Sequence, residues 1–367
     1  MMGKFVFIIS NIHLPRCVNR VKEFHSRGFD CEVYYFDRTI FNNKTATLDV
    51  PMHSLGELEA GSGSYVKRMP KQYSIIKNVV KKHKNEDVVF YLFGFDMALI
   101  YHYCCSKKPY IFEESDLRHT YFPSLLKKVL EKVDKKIIRK SLMTVFTSEG
   151  FNEYHFGNKT PDNVAFIPNR LSPDIKEVKL LPHKDYNGSK LSIGFVGSPR
   201  FKSVYNFVKV FCLSFPNYEF HLFGEPCLDG IEELRGKYDN CFFHGTFTSP
   251  TDLPEIYSKI DLVLSTYDAV VENVRYAEPN KIYESMFFEV PIIVSKNTFL
   301  ASKVNRLGIG YAIDAMNDKE IVDFVNNLTE FSVKEKVENI KKIDKKTLIS
   351  INDDFYKKLA KRIKAAK

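Results

Sequence analysis

The sequence predicts an α/β protein with two Rossmann-like domains in tandem, on three observations. Short β-rich runs alternate with amphipathic helical spacing along nearly the whole chain, the pattern of a parallel sheet covered by helices. The 367 residues exceed what one core usually holds, roughly 250 to 300 residues. The alternation lapses between Arg170 and Ser189, where proline, lysine and the Asn187-Gly188 pair gather. The expected layout is a first domain over 1–172, a linker over 173–189 and a second domain over 190–345. A C-terminal helix over 350–367, beginning near Asp353, is long enough to pack back on the first domain.

In the first domain, Lys4 to Ser10 reads as a strand, Val18 to Ser26 as a helix and Cys31 to Phe36 as a strand, with Gly28 as the stop signal between them. A helix follows around Tyr73 to Lys82, then strands at Val88 to Leu92 and Tyr110 to Phe112, a basic helix from Pro123 to Lys140 and a strand at Met143 to Thr147. Thr39 to Gly63 reads as loose. The second domain repeats the alternation: strand Leu191 to Val196, helix Val204 to Phe215, and strands at Glu219 to Phe223, Cys241 to Phe243, Leu262 to Ser265 and Ile292 to Ser295.

No apolar run is long enough to span a bilayer, so a soluble, unexported chain is expected. The seven cysteines are scattered, with no CxxC and no His-rich cluster, which points to a reducing cytoplasm and no structural metal. The formal charge of +9 favours an anionic partner. Lys127, Lys128, Lys132, Lys135, Lys136, Arg139 and Lys140 crowd one helix, and Lys357, Lys358, Lys361, Arg362, Lys364 and Lys367 crowd the C-terminus. Solvated helix faces are one reading; attraction to anionic lipid headgroups at the inner membrane face is the other. Nucleic acid is not expected, because no reading motif accompanies the charge.

The densest chemistry lies in Glu278 to Ser295, EPNKIYESMFFEVPIIVS. Pro279 suits the first position of a helix, and Glu278 ahead of it places a carboxylate near the positive helix end. Ile282, Tyr283, Met286 and Phe287 share one arc of that helix, while Asn280, Lys281 and Glu284 share another. Lys281 offers a point charge for phosphate, and Glu284 can accept both hydrogen bonds of a ribose diol. A surface ion pair between Lys281 and Glu284 is the plainer alternative.

In open parallel sheets ligands bind beyond the C-terminal strand ends. After Val196 come Gly197, which permits close backbone approach, Arg200, which can fork onto a diphosphate, and Lys202. Thr266, Tyr267 and Asp268 follow Ser265 and lead through Asn273 to the helix at Pro279. After Phe112 come Glu113, Glu114, Ser115, Asp116, Leu117, Arg118 and His119, where Glu114, Asp116 and His119 could orient acceptor hydroxyls or cap the next helix. His13 follows the first strand, where a lone histidine is more often structural than a ligand.

With PNKIYE followed by PIIVS, GFVGSPR opening the second half, IYSKIDLVLSTYD, VFTSEGF and IPN in order, the chain resembles GT-B glycosyltransferases of the family 4 type, used in bacterial capsular and O-antigen polysaccharide synthesis. The resemblance implies two domains facing across a cleft, with a nucleotide-diphosphosugar, a UDP-sugar favoured over a GDP-sugar, held by the second. Glu284 matches the family's ribose-binding glutamate, and Arg200 resembles the basic residue on the diphosphate, with Lys281 sharing that work. The implied catalytic set is Arg200, Lys281 and Glu284. Gly197, Arg200, Lys202, Tyr267, Asn273, Asn280, Lys281 and Glu284 form the implied donor site, and His13, Glu114, Asp116 and His119 the acceptor side. The family often has an acidic pair with seven residues between its members; here Tyr276 stands in place of the first, with Glu278 and Asn273 as substitutes.

The resemblance also implies transfer with retention, no resident cofactor, no required metal ion and a saccharide acceptor, in particular a lipid-linked one. Alternatives are a sugar-nucleotide epimerase of the same fold and a non-catalytic glycan-binding or scaffold protein.

Overall fold

The computed structural model describes residues 3–37, 47–58, 65–104, 107–181, 186, 188–225, 227 and 230–366, without the side chains of 65–68. The expected loose region at 39–63 lies outside the described residues except for 47–58, and so do Asn187 and Lys367.

The chain divides into two compact units, one running to Ile167 and resuming at Asn352, the other spanning Pro168–Ile351. The first contains β1 (Lys4–Ile9), α1 (Pro15–Ser26), β2 (Cys31–Asp37), β3 (Met52–Glu57), α2 (Tyr65–Lys82), β4 (Val88–Phe93), α3 (Phe95–Tyr103), β5 (Tyr110–Glu114), α4 (Ser124–Lys140), β6 (Met143–Phe146), α5 (Glu149–Phe156) and β7 (Val164–Phe166). The second contains β8 (Ser192–Val196), α6 (Lys202–Ser214), β9 (Glu219–Phe223), β10 (Cys241–Phe243), α7 (Leu253–Ser258), β11 (Leu262–Ser265), α8 (Glu272–Tyr276), α9 (Lys281–Phe288), β12 (Ile292–Ser295), α10 (Phe299–Leu307), β13 (Gly310–Ile313), α11 (Asp318–Asn326) and α12 (Glu330–Lys341). Helix α13 (Asp353–Ala366) returns to the first unit.

Every strand pairing is parallel, in the order β3-β2-β1-β4-β5-β6-β7 in the first sheet and β10-β9-β8-β11-β12-β13 in the second. Parallel strands bury both faces, which is why β4 reads as an uninterrupted apolar run. Successive side chains feed opposite cores: on β12, Ile292 and Val294 join one cluster and Ile293 the other. Each fully buried Ile or Phe of this kind stabilises the fold by about 1.5 to 3 kcal/mol.

Two expectations are corrected. Strand β3 lies inside the stretch read as loose; its side chains are half-buried or exposed, so it lacks the apolar alternation that marks a strand. In the stretch read as a linker, Leu171 pairs with Ile349 and Ile175 is buried in the core of the second unit. Its polar composition conceals these two apolar anchors.

Helix α13 packs through Phe355, Tyr356, Leu359 and Ile363 on an aromatic cluster of the first unit, with Tyr356 against Phe24 at 5.1 Å between ring centroids. Arg27 lies 4.1 Å from the Tyr356 ring and pairs with Asp353 at 2.6 Å. Part of the C-terminal basic run is structural: Lys358 Nζ donates to the Val164 carbonyl at 2.7 Å and Arg362 Nε to that of Leu142 at 2.5 Å.

Glu32, buried on β2, accepts hydrogen bonds from Tyr34 at 2.6 Å and Lys82 at 3.1 Å and pairs with Lys4. Burial alone would raise its carboxyl, but the bonds from Lys4, Tyr34 and Lys82 outweigh it and hold it at about 2. The folded state therefore takes up this proton less readily than the unfolded chain. The stabilisation is complete above the ordinary glutamate range and is lost as pH falls from about 4.5 to about 2. In urea titrations Glu32→Gln should be less stable than wild type at pH 6, with the gap closing toward pH 2; a constant gap contradicts this.

Candidate functional site

In the second unit the strand order runs outward from β8 in both directions, so the loops leaving β8 and β11 part from one another at the sheet's C-terminal edge. This reversal point is where open α/β sheets make their crevice. Gly197 follows β8 with φ +126°, and its N–H donates to the Phe223 carbonyl at 2.7 Å. Gly224 follows β9 with φ +123°, and a Cβ there would lie 2.3 Å from the Gly197 carbonyl oxygen. Only glycine at 224 lets the two turns touch. The sequence reading passed over Gly224, although a glycine directly after a strand end was the available signal.

Asp268, after β11, accepts from the backbone N–H groups of Lys202 at 3.3 Å and Ser203 at 2.9 Å. It fastens the β11 loop to the start of α6 and satisfies amides that would otherwise favour an external anion. Tyr267 packs edge-on against Phe201 at 4.8 Å between centroids, and its N–H donates to Ser295 Oγ at 2.9 Å. Burial raises the Tyr267 phenol.

Helix α9 begins at Lys281, two residues after the expected start at Pro279, with Asn280 as its N-cap. All of Lys281–Phe288 is buried, so the polar arc points inward. Glu284 is 2% exposed. Its carboxylate accepts from Lys281 Nζ at 2.8 and 3.0 Å, Asn280 Nδ2 at 2.7 Å and Tyr257 OH at 2.8 Å. The Lys281–Glu284 pair is therefore real but buried, not the surface pair of the plainer reading. The Tyr257 phenol is pushed well above its ordinary range by burial and then by Glu284, which keeps it a donor. A Cβ at Gly197 would lie 3.6 Å from Lys281 Cε, so the β8 turn rests on the Lys281 stem.

Arg200 and Lys202 are exposed, and among the described residues neither has a carboxylate within ion-pair distance. The Arg200 guanidinium sits 5.3 Å from the Phe201 ring centroid. Asn273 is buried on α8, and Tyr276, at that helix's end, is half-buried. Glu278 does not stand free beside them: it is buried, accepts from Tyr283 OH and pairs with Lys303 Nζ at 2.9 Å. The structure thus gathers Gly197, Arg200, Lys202, Tyr267, Lys281 and Glu284 around the β8 and β11 strand ends and gives Glu278 to a structural ion pair.

In the first unit the acceptor-side expectations fare differently. His13 Nε2 lies 2.7 Å from Asp37 Oδ1. Asp116 is half-buried, and its carbonyl accepts from Arg118 N at 2.8 Å. Glu114 and His119 have no exposed surface and cannot meet an acceptor hydroxyl in this arrangement. They belong to a buried network that sequence spacing did not reveal, since Asp134 comes from α4 and His155 from α5. His119 Nδ1 is 3.0 Å from Asp134 Oδ2, His155 Nε2 is 3.0 Å from Glu114 Oε2, and His119 Nε2 is 3.2 Å from Tyr154 OH. Burial pushes the Glu114 carboxyl up to about 8, and burial plus the neighbouring Glu114 pushes Asp134 up to about 7. Glu113, next to Glu114, is equally buried but charge-balanced by Arg20 at 3.1 Å and Arg16 at 3.2 Å.

A further groove of the second unit, about 670 Å³ in volume, is lined by Asp174, Glu177, Lys179, Pro250, Pro254 and Glu255 among others. Three carboxylates against one lysine make it a poor match for a diphosphate.

Comparison with known proteins fits this geometry. Residues 194–363 match the family model described as the glucosyltransferase 3-like C-terminal domain. No curated protein matches significantly. Among solved structures, the chain is similar to sucrose-phosphate synthase from Thermosynechococcus elongatus, with TM-score 0.68 and 14% identity over 99% of this chain and 100% of that one. It is also similar to Anabaena HepE in complex with UDP and glucose, with TM-score 0.67 and 15% identity over 98% and 99% of the two chains. A third is the lipopolysaccharide outer core galactosyltransferase WaaB, with TM-score 0.64 and 14% identity over 99% and 100%. The two parallel α/β units are the GT-B fold of glycosyltransferases.

Proposed function

We propose that the chain is a glycosyltransferase that takes its sugar from a nucleoside diphosphate sugar, UDP favoured over GDP, bound at the β8 and β11 strand ends. The observation that carries this reading is the pair of exposed cations Arg200 and Lys202 on the loop after Gly197, with no carboxylate in ion-pair distance among the described residues, together with the buried carboxylate Glu284 on α9, whose neighbour Lys281 meets the Gly197 turn. Arg200 and Lys202 hold the diphosphate and stabilise its charge as it leaves, a role that electrostatic preorganisation performs. Glu284 accepts the ribose hydroxyls by exchanging part of its present hydrogen-bond set. The Lys281 ammonium is committed to Glu284, so its first task is to hold that carboxylate in place. The match of 194–363 to a glucosyltransferase-like domain and the UDP complex of HepE support the donor class.

The first unit binds the acceptor, a saccharide and in particular a lipid-linked one, in polysaccharide synthesis, and transfer proceeds with retention. No ion is assigned to the leaving diphosphate, because Arg200 and Lys202 supply the positive charge. Helix α4 supports docking at the cytoplasmic membrane face: Leu125 is 80% and Val129 54% exposed among its lysines, a mixture of apolar and basic groups suited to anionic lipid. Among the described residues no helix is long and apolar enough to cross a membrane.

Calorimetry with UDP and a panel of UDP-sugars tests the donor site. Arg200→Ala should bind roughly tenfold more weakly, as expected for loss of a charged hydrogen bond, and transfer about 10²-fold more slowly, with an unchanged melting temperature because the side chain is exposed. Glu284→Gln should weaken binding by about 1 to 3 kcal/mol. Wild-type affinity in both variants would overturn the site. Epimerised nucleotide sugar without release of nucleoside diphosphate would replace transfer by epimerisation, and no donor binding at all would leave only a scaffold.

Liposome flotation tests the docking. It should require anionic lipid, weaken with salt and fall on Leu125→Ser with Val129→Ser. Salt-indifferent or absent flotation contradicts it.

A further inference from the structure

We propose that Glu114, His119 and Asp134 form a buried structural site for one divalent transition-metal ion of the zinc class, inside the first unit and independent of the donor site. One ligand atom from each lies within 4.8 Å of the others, and all three residues are buried. They converge from the end of β5, the 3-10 turn Arg118–Tyr121 and α4.

The hydrogen-bond pattern favours a metal over a set of mutual hydrogen bonds. His119 Nδ1 and Asp134 Oδ2 stand 3.0 Å apart, yet neither forms an aligned hydrogen bond. Two donor atoms of a tetrahedral zinc site, at bond lengths of 2.0 to 2.1 Å, are separated by about 3.3 Å with their lone pairs aimed at a third point. Glu114 Oε1 and Asp134 Oδ1 are likewise buried without an aligned partner, the two carboxyls lying within reach of one another. Two of the three ligands are held on another side: His119 Nε2 contacts Tyr154 OH at 3.2 Å, and Glu114 Oε2 contacts His155 Nε2 at 3.0 Å. That is the outer support that fixes a ligating imidazole's tautomer and a ligating carboxylate's orientation.

Charge points the same way. Glu113, one residue earlier, is buried but answered by Arg16 and Arg20. Glu114 and Asp134 face each other, and among the described residues no lysine or arginine pairs with either. When both are ionised, the two carboxylates carry two negative charges, which one divalent ion cancels. A buried ion of this kind enters during folding and contributes to stability.

The test uses the untagged full-length chain, purified without chelator, and measures metal by mass spectrometry together with the melting temperature. The expected result is about one equivalent of a transition metal per chain, as purified or after refolding with zinc or manganese, and a lower melting temperature after refolding with chelator. Asp134→Asn and His119→Gln should lose the ion, while Arg200→Ala keeps it. Wild type holding less than about a tenth of an equivalent under every condition, with no metal effect on melting, overturns the proposal; so does full metal content in both ligand variants. A metal-free chain that melts at lower temperature as pH rises from 6 to 9 would show that protons neutralise the pair instead, and also overturns it.

Discussion

Parallel strand pairing is the constraint on which the rest depends. It aligns all strand directions, so every strand in a sheet ends at the same edge, and it buries both faces. Once strand order reverses at β8, the loops after β8 and β11 must diverge at that edge. The local chemistry then adapts to the opening. Gly197 and Gly224 allow two turns to touch, Asp268 ties the β11 loop to α6, and Arg200 and Lys202 remain exposed with no carboxylate in ion-pair distance among the described residues. A crevice at that edge follows from backbone topology before any side chain is chosen.

Buried ionisable groups fall into two kinds in this protein. Glu284 with Lys281, Glu278 with Lys303, and Glu113 with Arg16 and Arg20 are each matched by a cation within about the length of a hydrogen bond. Such pairs repay their desolvation only when geometry and additional hydrogen bonds are good, and Tyr257, Tyr283 and Tyr91 supply those bonds to Glu284, Glu278 and Glu113. Glu114 and Asp134 differ, surrounded by imidazoles in place of cations among the described residues. The contrast between adjacent residues 113 and 114 separates a structural ion pair from a site that calls for an external charge.

Much of the fold was readable because a doubly buried strand writes an apolar run into the sequence: β9, β11 and β12 have the bounds that their runs suggested. Strand β3 escaped, since its half-exposed side chains carry no such run. The polar face of α9 was readable as chemistry from Lys281 and Glu284, but not as buried, because burial comes from Tyr257 on α7, distant in sequence. Glu278 illustrates the same limit: nothing near it in sequence announces that Lys303 on α10 will neutralise it. The Glu114 network was invisible for this reason, its members lying on four separate elements. Local pattern reports which groups are available, and tertiary contact decides which of them remain available to a ligand.

The central claim is that a nucleoside diphosphate occupies the edge formed by β8 and β11. Crystals of the full chain soaked with UDP test it most directly. The account predicts density for the ribose at Glu284 and for the diphosphate against Gly197, Arg200 and Lys202. UDP bound elsewhere, or well-diffracting crystals with no nucleotide density at millimolar UDP, would contradict it.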